Sequence, residues 1–225
     1  MVRSRQLWRW CPILAIVAGL GAAAADADPC YMGVRRTTKA EREFTVQTLN
    51  ALRDAVPALP GWRTADETEI REPLTTCIGQ ERAPMSLDYR VRLVRDEGAA
   101  PIGEPEGGPS RRLQPESADL APFAEVRISV NSKSTTVHAA ATPVAVEGVP
   151  FAFRSGCAEL LLGDWSVPVP DADAAGPSEA WAHFDAELPS TRVQTLVVEL
   201  DGEAGSVEAL LRRLDVRALV ALVRH

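Results

Sequence analysis

Apolar positions change their spacing several times along this chain, and each change marks an element. Thr38-x-x-Glu41 has the form of a capping box, in which a threonine and a glutamate three residues on satisfy each other's backbone amides. Behind it, Phe44, Leu49, Leu52, Ala55 and Val56 fall on one broad face at helical spacing, with Glu43, Gln47, Asn50 and Asp54 opposite. Pro57 and Pro60 end the pattern, because proline has no amide hydrogen to continue it. An amphipathic helix is therefore expected between Thr38 and Pro57.

From Leu87 the period becomes two. Leu87, Tyr89, Val91 and Leu93 alternate with Asp88, Arg90 and Arg92. Ala124, Val126, Ile128 and Val130 alternate in the same way with Glu125, Arg127, Ser129 and Asn131. Both segments read as half-buried strands. Asn131–Ser134 reads as a turn, with Thr135–Ala141, which carries His138, as the hairpin partner of the second strand. Val144–Phe153 reads as a short strand, a turn at Glu147-Gly148 and another extended piece. Leu160–Val167 reads as one strand, apolar on both faces at its start and therefore central. Residues 180–188 fit either period, but Pro189-Ser190-Thr191 has the look of a hairpin turn into a last strand, Arg192–Leu200, and favours a strand.

Beyond Asp201-Gly202, Ser206 stands where a helix cap is expected. Val207, Leu210, Leu211 and Leu214 form one stripe, and Val216, Leu219, Val220 and Val223 form a rotated one. The phase jump falls at Asp215, a good N-cap residue, so two short helices, 207–214 and 216–223, are expected. The whole predicts an α+β fold: a single antiparallel sheet of about five to seven strands, with an N-terminal helix and a kinked C-terminal helical segment packed on one face. Residues 97–121, rich in Gly and Pro and poor in large apolar side chains, read as a disordered loop inside one domain, 26–225.

The first residues follow a different logic. Arg3, Arg5 and Arg9 lead into an apolar run from Cys11 to about Leu20, and small residues follow, with A-x-A triplets ending at Ala25 and Ala27. That is the form of a secretory signal peptide, 1–25, cleaved after Ala25 or Ala27. The expected location is periplasmic or secreted. The run is shorter than the ~20 residues a spanning helix needs, so no stable membrane insertion is expected after cleavage. Removing residues 1–25 takes away three arginines and no acid, which moves the net charge from −7 to −10. An acidic chain without a basic cluster lacks the phosphate-neutralising groups that dominate nucleic-acid affinity.

Export also changes the reading of the cysteines. Cys30, Cys77 and Cys157 remain after cleavage, and Cys30–Cys77 is the expected disulfide because it would tie a loose N-terminus to the body. Cys157 has no base or cation among its sequence neighbours to stabilise a thiolate, so it reads as an inert thiol.

Candidate chemistry is sparse. Gly-x-Ser-x-Gly, Ser-x-x-Lys, the Walker loop, G-x-G-x-x-G and His-Glu-x-x-His do not occur. Of the histidines, His138 reads as a sheet-surface residue and His225 as a frayed terminus. His183 has Asp185 two residues on, and on a strand Trp181, His183 and Asp185 would share a face; a carboxylate there could orient the imidazole. These two are the catalytic candidates. Asp171-x-Asp173-x-x-Gly176 opens like a calcium loop but has Ala182 where the bidentate Glu belongs, so no metal or cofactor is expected. Trp62, Trp165 and Trp181 would line a ligand pocket if they converged.

The expectation is an exported, non-enzymatic binding or accessory module of the cell envelope. Its partner would be an envelope protein or a small apolar ligand, bound at a sheet–helix cleft or a sheet edge. The alternatives are an enzyme using His183 and Asp185, and a chaperone-like envelope protein that makes contact through 97–121.

Overall fold

A computed structural model of the chain describes residues 33–77, 83–96, 123–137, 141–168 and 177–224. In chain order its elements are β1 (Val34–Arg36), α1 (Lys39–Ala55), β2 (Trp62–Glu67), β3 (Thr75–Cys77), β4 (Leu87–Arg95), β5 (Phe123–Val130), β6 (Ser134–Val137) and β7 (Thr142–Pro143). Then come β8 (Phe151–Arg154), β9 (Ala158–Gly163), β10 (Trp165–Ser166), β11 (Ser178–Ala182), β12 (Thr195–Gly202), α2 (Ala204–Arg213) and α3 (Val216–Arg224). The fold is mixed α/β, built around a seven-stranded antiparallel sheet in the order β2-β4-β5-β12-β9-β8-β7.

The single sheet expected from sequence is not what forms. Two smaller sheets accompany the large one, β10-β11-β6 with three strands and β1-β3 with two. The reason lies at the ends of β5 and β9. Val130, the last residue of β5, is flanked by Leu87 of β4 on one side and Leu196 of β12 on the other, so β5 has no edge left for the chain that follows it. Asn131 then takes a left-handed turn (φ 54°), a conformation asparagine tolerates better than most residues. Its buried amide donates to the carbonyls of Met85 and Arg192 and accepts from the amides of Gln194 and Thr195. The chain leaves the large sheet there, and β6 pairs with β11 instead of folding back on β5.

At the other junction, Gly163 (φ +103°) ends β9, and a Cβ at this position would lie 2.3 Å from the Gln194 carbonyl oxygen. Only glycine fits so close an approach. The expected strand 160–167 is therefore two strands in two sheets. The hairpin expected between 180–188 and 192–200 is likewise replaced: β11 stops at Ala182, and β12 lies in the large sheet, between β5 and β9.

One face of the large sheet is covered by α1, α2 and α3. Leu49, Leu52 and Ala55 of α1, Val207 and Leu210 of α2 and Leu219 of α3 pack with Tyr89, Val126, Ile128, Leu160, Leu196, Val198 and Leu200 from the strands. Burying each leucine contributes roughly 1.5–3 kcal/mol. α1 begins as expected: the Glu41 amide donates to Thr38 Oγ1 and the Thr38 amide to Glu41 Oε2. The break at Asp215 is also present, its Oδ1 accepting from the Ala218 amide while its own amide donates to the Ala55 carbonyl at the end of α1. Ser206 is not the cap of α2. The helix starts earlier, with Glu203 at the N-cap position, and Ser206 lies inside it, fully buried.

On the opposite face, Phe153, Leu161 and Val197 of the large sheet pack with Val137, Trp165 and Ala180 of the small one. β9 is thus apolar on both sides: Leu160 and Leu162 face the helices and Leu161 faces the small sheet. β2 and β3 had no apolar alternation to reveal them, since all of β2 beyond Trp62 is exposed.

Candidate functional site

The chain path that splits β9 from β10 also creates a cleft. After Gly163 comes Asp164, whose carbonyl accepts from the His183 amide and so extends the β10–β11 ladder by one bond. Beyond His183 the chain turns through 184–192 and enters β12. The result is an open cleft of about 400 Å³ lined by Asp164, His183, Phe184, Asp185, Leu188, Arg192, Val193 and Gln194, with Val223 of α3 at its edge. Its walls mix an imidazole, two carboxylates, a guanidinium and an amide with apolar side chains, a pattern suited to holding and orienting a small ligand.

The cleft wall is held from within. Gln194 Oε1 accepts from the Asp185 amide at 2.7 Å, and its Nε2 donates to the Asp185 carbonyl at 3.2 Å. The Asp185 carboxylate accepts from the Glu187 amide at 2.8 Å, forming an Asx-type turn. His183 Nε2 lies 2.7 Å from Ser166 Oγ, in β10. The two catalytic candidates therefore meet in one cleft, yet the Asp185 carboxylate holds a backbone turn while His183 is paired with a serine. That serine was not singled out from sequence. Its register opposite Trp181 is a long-range property with no local signature.

The three tryptophans do not converge. Trp62 is buried in the helix-side core; Trp165 is buried between the two sheets, its Nε1 donating to the Leu162 carbonyl. Trp181 stands on the outer face of the small sheet and is 53% exposed. The space between the helices and the large sheet is filled by side chains at or near zero exposure, so the expected sheet–helix cleft is occupied by core.

Cys77 ends β3 and is disulfide-bonded. Its expected partner Cys30 lies outside the described residues, as do the proposed signal segment, loop 97–121, His138, Asp171, Asp173 and His225. Cys157 is a buried thiol 3.6 Å from Ser155 Oγ. Among the described residues, no group of three or more His, Cys, Asp or Glu is placed to hold a metal ion, and no helix is long and apolar enough to cross a membrane.

A second polar cluster went unnoticed in the sequence, where its members read as the wet side of two strands. Glu125 of β5 is buried beneath Arg90 of β4 and Arg127 of its own strand, and it bonds to both. Burial opposes its ionisation, but the two guanidinium bonds outweigh burial and hold its carboxyl below the usual range. Glu159 of β9 is its counterpart under the small sheet. It lies directly across from Glu199 of β12 and accepts from Thr135 Oγ1 of β6 at 2.8 Å. Burial raises its carboxyl to about 7, and the charge of Glu199 adds to the rise.

No family model, curated protein or solved structure matches this chain, so the cleft and the sheet faces must supply the functional argument themselves.

Proposed function

We propose that the chain is an exported, non-enzymatic binding module of the cell envelope that takes its ligand in the His183 cleft. The observation that carries this reading is the cleft itself: a concave surface of mixed polarity whose shape is fixed by the Gln194–Asp185 hydrogen bonds. Export rests on the basic, apolar and small-residue order of residues 1–25, and a Cys30–Cys77 disulfide suits the oxidising compartment that export implies.

Thermal-shift screening of the purified protein against envelope lipids, glycans and peptides tests the reading. Leu188, 41% exposed at the cleft, is the handle. Leu188→Trp should fill the cleft and abolish the shift given by any true ligand while leaving the unliganded melting temperature within a few degrees. A ligand that binds Leu188→Trp as well as the parent, or a screen with no ligand at all, would remove the cleft from consideration.

The 2.7 Å approach of Ser166 Oγ to His183 Nε2 favours one alternative, hydrolytic chemistry with His183 as base and Ser166 as nucleophile. Among the described residues, His183 makes no hydrogen bond to a carboxylate of the kind that orients the histidine in such sites. Turnover of activated esters that disappears in Ser166→Ala would support this alternative; equal rates in the two proteins would end it.

A further inference from the structure

We propose that the outer face of the β10-β11-β6 sheet is a saccharide-binding platform, with Trp181 as the stacking surface and the His183 cleft as its polar extension. The inference deepens the binding reading above and rests on it.

Trp181 occupies the middle strand, and its direct cross-strand neighbours are Ser134 on one side and Ser166 on the other. Neither serine can cover an indole, so the ring stays 53% exposed, whereas Trp62 and Trp165 are 8% and 5% exposed. An exposed aromatic on its own means little. Here the pleat surrounds it with hydrogen-bonding groups. Thr136, Glu179 and Ser166 are exposed on the same face, and His183, two residues on and bonded to Ser166, joins that face to the cleft.

A flat apolar ring bordered by hydroxyls, a carboxylate and an imidazole matches the two sides of a pyranose. Its C–H face stacks on an indole, and its hydroxyls need donors and acceptors around the edge. Charge narrows the ligand further. Among the described residues around this surface, Glu179, Asp164 and Asp185 outnumber Arg192 and Lys133, which disfavours phosphates and anionic headgroups. An apolar ligand would leave the polar rim without partners, at a cost in desolvation. A neutral oligosaccharide satisfies both constraints.

The test titrates the purified protein with a β-1,4-linked N-acetylglucosamine tetramer and with a neutral glucan tetramer, by calorimetry and tryptophan emission. Vesicles of anionic phospholipid serve as the comparison. At least one saccharide should bind and change the emission. Trp181→Ala should weaken it by about tenfold or more, equivalent to about 1.4 kcal/mol, and Trp181→Phe should restore most of the affinity. Circular dichroism should show both variants folded.

Saccharide binding that Trp181→Ala leaves intact and Leu188→Trp abolishes would sink the platform but keep the cleft. Binding of vesicles or peptides without saccharides, abolished in Leu188→Trp, would sink the saccharide and keep the binding reading. Failure of every probe would sink both.

Discussion

The two faces of the seven-stranded sheet solve the burial problem differently. The helix-covered face is dominated by apolar side chains: Leu52, Ile128, Leu160, Leu196, Leu210 and Leu219 are all at zero exposure, contributed by α1, α2, α3 and several strands. The other face is a mosaic. Its β8–β9–β12 side packs Phe153, Leu161 and Val197 against the small sheet, and alongside lie Glu159, Glu199, Glu125, Arg127 and Arg90. The first face can hold the fold together because non-directional burial needs only matching volume. The second face, covered only in part, holds the buried carboxyls and seats the small sheet that carries the exposed indole, while the cleft opens where the chain leaves that small sheet for β12, beside α3. The apolar core between sheet and helices thus lies on one side of the layer, and the buried carboxyls and the small sheet lie on the other.

Adjacent leucines on β9 test that division. Leu160 faces the helices and Leu161 the small sheet, and both are at zero exposure. Leu160→Ala should cost ~2–5 kcal/mol in chemical denaturation and lower every spectroscopic probe together. Leu161→Ala should cost a similar amount or less, but its signature should be local: Trp165 emission shifts toward that of a solvated indole before the far-ultraviolet dichroism is lost. Identical, fully coincident transitions in the two variants would show that the small sheet is not a separable layer. A third substitution acts on neither face. Cys77→Ser, which removes the crosslink at the end of β3, should cost ~2–4 kcal/mol without moving Trp165, and peptide mapping of the oxidised protein should recover Cys77 joined to Cys30.

Glu159 gives the mosaic face a pH dependence close to neutrality. Its folded carboxyl titrates near 7, above the ordinary value of 4.5. Between those values the folded chain keeps a proton that the unfolded chain releases. The associated stability is complete below pH 4.5 and declines as the pH rises through 7. The shift corresponds to roughly 3 kcal/mol. Glu159→Gln should therefore raise stability at pH 8 by up to this amount and do little at pH 4.5. Denaturant titrations at the two pH values decide it. An equal effect at both would mean that the Thr135 hydrogen bond, and not the proton, is what Glu159 supplies.

How far these features could be read in the sequence depends on how local their causes are. The capping box at Thr38, the alternation of β4 and β5 and the helix break at Asp215 each come from residues a few positions apart, and each is present in the structure. Sheet membership was not legible. It turns on the occupied edges of β5 and on the Gly163 backbone pressed against Gln194, contacts made across tens of residues. The site was half legible. His183 and Asp185 stood out for their chemistry and do line the cleft, whereas Gln194 and Arg192 enter it, and Ser166 meets His183 beside it, only through pairing and turn geometry. The Glu159–Glu199 and Glu125–Arg90 pairs required the strand register, which alternation alone leaves open by two residues at a time.

The smallest expected effect completes the pH comparison from the helix side. Glu41 is buried at the start of α1, where the Arg35 guanidinium bonds to it, and the Thr38 backbone and hydroxyl add to the effect; together they lower its carboxyl to about 2 despite burial. Its stabilisation is complete above pH 4.5 and is lost as the pH falls toward 2. Glu41→Gln should cost ~0.5–2 kcal/mol at pH 6, the scale of a helix cap, and should flatten the acid limb of the stability curve. Because Glu159 acts in the opposite sense between 4.5 and 7, the parent protein should be most stable on the mildly acidic side of neutrality. Removing Glu159 should move that optimum upward, and removing Glu41 should lower stability by a constant amount above pH 4.5, change it little near pH 2, and leave the slope of the neutral limb unaltered. If the two substitutions altered the same limb of the pH–stability profile, the helix-side and small-sheet-side carboxyls would not be acting independently.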